Sequence, residues 1–326
     1  MPGAEPRLPA TLGGEGWLGR TASHGEDLAA GQLWRACGNR SETGRLRRVA
    51  LARPPASLAA IADPQVQLLL RCPDLQRLQA QFFALKQYFE SAGVAVDVLD
   101  DAAAPPNILF MRDLFFMTPE GAIVARPASR QRAGEARLVS RFLADLGIPI
   151  LLTVHADGLF EGADALWIAP DHVLIGIGRR SNASGAAQVS ETLARIGVKC
   201  SLVDLPPGVQ HLLGSVNFLS PGKAVYNGAA RSPAIEAALS AQGIACVICT
   251  EREEIERDRV LNFVAIDAGH VIAPAGGART RAQLQRESVR VDSLDVSEYL
   301  ACAGGIGCSV GILARDPPAV AEAAVD

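Results

Sequence analysis

The stretch Ser184–Val203, SGAAQVSETLARIGVKCSLV, decides how the chain is read. Residues 184–196 read as a helix, Gly197 ends it, and VKCSLV continues as a strand. A glycine belongs at that junction because a helix commonly closes on a left-handed residue, a conformation that costs glycine little. The same phrase recurs along the chain: Asp74 to Ala92, then Gly93 and VAVDVL; Glu135 to Leu146, then Gly147 and IPILLT; Pro233 to Gln242, then Gly243 and IACVIC. A weaker copy, Arg281 to Glu287 followed by SVRVDSL, lacks the glycine. Between the helices lie strand pairs such as NILFMRDLFF with GAIVARP, DALWIAP with HVLIGIG and NFVAIDA with HVIAPA, each broken by a short polar or Gly/Pro turn. An ordinary α/β sheet also alternates strand and helix, but its units rarely each carry a hairpin. Five similar units with no obvious end cap predict an α/β fold closed into a ring, with reactive residues converging on its axis from different units.

With 326 residues, 49% of them hydrophobic and 20% charged, the chain can bury a substantial core. A formal charge of −4 and scattered basic residues argue against nucleic acid or an anionic membrane and leave small molecules as the expected partners. No apolar run is long enough to span a bilayer, and the opening MPGAEPRLPATLGGEG lacks the apolar stretch of a secretory signal, so a cytoplasmic protein is expected. The seven cysteines, an odd number in a long chain, read mostly as reduced thiols. Residues 1–44 read as a poorly structured arm, apart from a short helix near Gln32–Ala36, and residues 45–326 as a single catalytic domain; self-association is an open expectation.

Four segments carry reactive side chains beside Gly or Asn: NILFMRD with Asn107, Phe110 and Asp113; FEGAD with Glu161 and Asp164; QHLLGSVNF with His211; and AGGIGCSVG with Cys308. Each has a plain alternative. Asp113, within an apolar strand pattern, could simply pair with an arginine. Glu161 and Asp164 could be turn residues, and His211 a satisfied core histidine. Cys308 stands apart, because Gly304, Gly305 and Gly307 leave little side-chain cover and let a substrate approach its sulfur. A lone Cys with a distant His and carboxylates fits a thiol nucleophile assisted by an acid/base. The pair Cys246 and Cys249 lies in a strand-like run, where positions three apart face opposite sides, which argues against a metal or redox site.

Taken together and in this order, PNILFMRD, FEGAD, HLL with GSVNF, and GGIGC resemble the guanidine-modifying superfamily, which includes arginine deiminases, dimethylarginine dimethylaminohydrolases and amidinotransferases. The opening NRSETGRLRRVALARP is similar to that family's first strand, so the likeness runs from about Asn39 to Asp316. It implies a five-bladed α/β propeller ring of pseudo-symmetric ββαβ units. It also implies Cys308 as nucleophile, His211 as general acid/base, Glu161 as the carboxylate that assists His211 and binds the guanidinium, and Asp113 as a second guanidinium carboxylate. By the same resemblance Phe110 lies against the guanidinium plane, Asn107 and Arg180 meet the substrate's amino-acid end, Arg130 is a further arginine of that kind, and Asp164 stabilises its loop. No metal or organic cofactor is expected.

The chemistry suits these residue types: paired carboxylates can orient a planar guanidinium toward a thiolate, and one imidazole can protonate the departing amine and then deprotonate water. Deiminases of this family carry Asp two residues after the catalytic His, whereas this chain has Leu213. That departure points to a substituted guanidine rather than plain arginine. The leading expectation is a hydrolase giving a ureido product such as citrulline; an amidinotransferase and a non-catalytic arginine-binding protein are the alternatives.

Overall fold

The helix-to-glycine junctions fold as their sequence demands. Gly93, Gly147, Gly197 and Gly243 take φ of +77°, +73°, +75° and +67°, each just past a helix end. In the unit without the glycine, Ser288 occupies the same place at φ +63°. The computed structural model describes residues 7–317.

A helix α1 (His24–Ala30) leads into β1 (Leu46–Ala52), α2 (Leu75–Ser91) and β2 (Ala95–Leu99). The next unit holds α3 (Met111–Leu114), β3 (Phe115–Thr118), β4 (Gly121–Val124), α4 (Glu135–Asp145) and β5 (Ile150–Thr153). It is followed by β6 (Ala165–Ala169), β7 (His172–Ile177), α5 (Ala183–Arg195) and β8 (Lys199–Asp204). Then come β9 (Val216–Ser220), β10 (Lys223–Asn227), α6 (Pro233–Ala241), β11 (Ala245–Cys249) and α7 (Arg252–Glu256). The last stretch comprises β12 (Val264–Asp267), β13 (His270–Pro274), α8 (Ala278–Arg286), β14 (Arg290–Leu294), α9 (Ser297–Ala301), α10 (Ile306–Ser309) and β15 (Gly311–Arg315).

These strands form five three-stranded sheets. In each, the middle strand is antiparallel to one neighbour and parallel to the other; β7, for example, pairs antiparallel with β6 and, after the α5 crossover, parallel with β8. The parallel pair needs that crossover, which is why every unit contains a helix. The first sheet has the order β15-β1-β2, so the end of the chain supplies the strand that its beginning lacks. Neighbouring sheets touch through β15 and β3, β9 and β12, and β1 and β12. Each helix buries one face on the sheets: Leu85 and Phe89 of α2 are fully buried in a cluster with Leu51 and Val94, each such side chain contributing about 1.5–3 kcal/mol.

Three expectations are corrected. NILFMRD is not a strand: Pro105 and Pro106 open a 3-10 turn over Pro106–Leu109, and α3 follows. The short N-terminal helix is α1 rather than residues 32–36, because Ser23 and Glu26 form a reciprocal capping box at its start. The loose arm expected over residues 1–44 ends earlier, since Asn39, Ser41, Glu42 and Thr43 are buried. Glu42 pairs with Arg112 at 3.1 Å and accepts a hydrogen bond from the Trp167 backbone N–H. Residues 1–6 of that arm, and 318–326 of the expected domain, lie outside the described residues. All seven cysteines are free thiols.

Candidate active site

The candidate residues occupy one place in the repeat. Asp113 lies just before β3, Glu161 before β6, His211 before β9 and Cys308 before β15. Each is in, or directly precedes, a short helical turn: α3, Gly162–Asp164, Leu212–Gly214 and α10. α3 meets both α10 and the Gly162–Asp164 turn, which in turn meets Leu212–Gly214. Glycine is required at the closest approaches. A Cβ on Gly162 would run into the Phe115 and Arg112 carbonyls, and one on Gly304 into the Phe110 ring.

His211 Nε2 donates to Glu161 Oε2 at 2.7 Å, and its Nδ1 lies 4.0 Å from Asp113 Oδ1. Asp113, Glu161 and His211 are all buried. Glu161 Oε1 also accepts from the Ala128 N–H and from Arg180 Nη1, at 3.2 and 3.3 Å. Asp164 is held by Ser181 Oγ and the Leu212 N–H at 2.6 and 2.9 Å, which is the loop-stabilising arrangement. A cavity of about 50 Å³ is lined by Asn107, Phe110, Asp113, Arg180 and Cys308. Asp113 Oδ1 has no hydrogen-bond partner among the described residues.

The charges favour an ion pair. Burial works against a charged His211, but Asp113, Asp164 and Glu161 outweigh it and raise its pKa to about 9. Burial likewise pushes Glu161 upward, yet His211, Arg132 and Arg180 hold it down at about 2. The Cys308 thiol is raised above its ordinary value by burial and then by Asp113, while Arg259 and Asn262 pull the other way. These shifts favour imidazolium at His211 and a neutral thiol at Cys308 at neutral pH.

Two residues missed by sequence reasoning are central. Arg130 is exposed and does not line the cavity; Arg132, two positions on, is buried there. Its Nη1 donates to Asp113 Oδ2 at 2.6 Å and lies 3.6 Å from Glu161 Oε2, and its Nε donates to Glu135 at 2.9 Å. Asn262 is the second. Its Nδ2 donates to Cys308 Sγ and its Oδ1 accepts from the Cys308 N–H, both at 3.0 Å. It stands just before β12, the place in the fifth unit that the reactive residues take in the others, so the repeat itself was the signal. Leu213 is buried and lines a neighbouring larger cavity rather than the one beside Cys308. Asn107 donates to the Gln67 carbonyl at 2.7 Å.

Asp113, Glu161 and His211 each bring one donor atom within 4.8 Å of the others, a set able to hold a cation. Arg132 already places a positive charge against both carboxylates, so a metal ion would have to displace or tolerate it.

A family model described as arginine deiminase matches residues 97–200. The chain is 27% identical to a dimethylarginine dimethylaminohydrolase of Pseudomonas aeruginosa, over 79% of this chain and 96% of that protein. It is 27% identical to another of that description from Mycobacterium tuberculosis, over 82% and 85%. A solved structure of the Pseudomonas aeruginosa enzyme complexed with citrulline superposes with a TM-score of 0.68 at 25% identity, covering 83% of this chain and 99% of that one. In fold alone the chain is similar to an amidinotransferase from Microseira wollei, with a TM-score of 0.70 at 14% identity over 86% and 97%. Among the described residues no helix is long and apolar enough to cross a membrane.

Proposed function

We infer that this chain, which belongs to the guanidine-modifying enzyme superfamily, is a cysteine-dependent hydrolase of arginine or an N-substituted arginine. The observation that carries this reading is the buried, unpartnered Oδ1 of Asp113 in a cavity shared with Cys308, beside the Glu161–His211 pair. A guanidinium N–H satisfies that oxygen, and the cation it brings draws the neighbouring thiol toward thiolate. The five sheets are read as blades of a closed ring, the single catalytic domain as extending from about residue 39 onward, and the location as cytoplasmic.

In the reaction the Cys308 thiol loses its proton to solvent as the cationic substrate enters, and the thiolate sulfur bonds to the guanidinium carbon. His211, as imidazolium, gives its proton to the departing nitrogen as the C–N bond breaks, leaving an amidino group on sulfur. The now neutral His211 takes a proton from water, whose oxygen bonds to the same carbon. The C–S bond then breaks, and the ureido product loses the remaining proton to solvent. Glu161 keeps His211 charged for the first half, and Asn262 donates to the sulfur that bears negative charge before and after.

Leu213, buried near His211, cannot accept a guanidinium hydrogen bond and supports a substituted nitrogen as the preferred substrate. Product identification by mass spectrometry with arginine, N-methylarginine, N,N-dimethylarginine and arginine plus amine acceptors tests the reading. A ureido product and a trapped amidino adduct on Cys308 are expected, with Cys308→Ser losing at least about a thousandfold in rate. A product formed only when an amine is added assigns the transferase instead, and binding without any turnover assigns a binding protein.

A further inference from the structure

Beside the small cavity at Cys308 lies one of about 510 Å³. Gln210 lines both. The larger cavity is lined by Leu213, two residues past His211, and Asn262, whose amide touches the Cys308 sulfur. Arg252 and Arg259 also line it. Arg252 is exposed and its Nε is tied to Glu256 at 2.8 Å, so those two charges cancel.

Arg259 differs. It is half-buried and has no salt-bridge partner among the described residues, whereas Arg132 and Arg180 are both engaged by carboxylates. Its backbone is left-handed, with φ +48°, a conformation that a long side chain adopts only when its surroundings impose it and that recurs where ligands bind. The Arg259 carbonyl accepts from the Asn262 N–H at 2.8 Å, so this strained residue is joined through Asn262 to the nucleophile. The departing nitrogen of the guanidine must face His211, which protonates it. Gln210, shared by the two cavities, marks where they adjoin, and Leu213 lines the larger one.

We propose that this cavity receives a substituent carried on the departing guanidine nitrogen, and that Arg259 recognises a carboxylate at the substituent's far end. The proposal rests on the hydrolase reading above. Leu213 covers the methylenes of such a chain, and the Arg259 guanidinium meets the anion in fork geometry.

Binding to the Cys308→Ser protein, measured by calorimetry, tests the compartment without turnover. The ligands are Nω-carboxypropylarginine and Nω-butylarginine, which share length and differ in the terminal charge. The carboxylate ligand is expected to bind at least about tenfold more tightly. Arg259→Ala is expected to bring that ratio close to one; alanine accepts a positive φ no more readily than arginine, so the exchange isolates the charged group. Arg259→Lys retains most of the preference. A ratio near one with Arg259 present, a ratio unchanged in Arg259→Ala, or no binding of either ligand overturns the proposal. Product formation from the two ligands by the intact protein judges the hydrolase reading separately: a preference without a ureido product leaves the compartment standing and removes the hydrolysis.

Discussion

His211 Nε2 and Glu161 Oε2 lie 2.7 Å apart, both side chains buried, and the pair holds a proton that burial alone would expel. In the proposed reaction that proton is used first and water's proton second, so the pair would set the pH range over which the site works.

With substrate bound and Cys308 drawn to thiolate, the rate should fall as His211 deprotonates near pH 9. Glu161→Gln should move this alkaline limb of the kcat profile toward neutrality and lower the maximum by about a hundredfold. A limb that stays in place would show that Glu161 does not hold the proton. The same ionisation bears on stability. His211 has a folded pKa of about 9 against 6.5 for the free side chain, so its contribution is complete below pH 6.5 and is lost as pH rises through about 9. Thermal unfolding of the wild type should weaken over that window, and that of His211→Asn should weaken less.

Arg132 places one buried positive charge against Asp113, Glu135 and Glu161. Arg132→Met leaves those buried carboxylates without the cation they share, and should cost about 3–5 kcal/mol in urea unfolding. Arg130→Met, on the surface, should change stability by no more than about 0.5 kcal/mol. Equal effects of the two substitutions would contradict the assignment of the buried cation.

Ser288 sits where the other units place glycine, at φ +63° and exposed. Ser288→Gly removes the Cβ clash of the left-handed conformation and should stabilise the protein by about 1 kcal/mol, offset in part by the greater freedom of the unfolded chain. A loss of stability in denaturant titration would mean that the Ser288 side chain contributes something the backbone argument omits.

A chelator should leave turnover unchanged, because the charge that a metal would bring to Asp113 and Glu161 is supplied by Arg132. Activity lost to chelation and restored by zinc would reassign Asp113, Glu161 and His211 as ligands.

The repeat was legible in the chain because its signals are local. A helix end, a glycine at Gly197 and a following strand declare themselves within twenty residues, and Ser184–Val203 folds as α5, the Gly197 cap and β8. Cys308 and Glu161 were legible as candidates for a related reason, since reactive groups beside glycines stand out against apolar strands, and Asp113 as a carboxylate within an apolar run. Arg130 and Arg132 look alike in the sequence, and only packing against Glu135, Asp113 and the Asn107 carbonyl decides that Arg132 is the buried cation. Asn262 reads as one more polar residue before a strand until β12 and β15 bring it to Cys308, 46 positions away. Glu42 reads as part of a loose arm until it meets Arg112. Local backbone preference acts between near neighbours in the chain, so one sequence window contains its causes. The partner of a buried charge is chosen by desolvation across units remote in sequence, and that choice exists only once the sheets have packed.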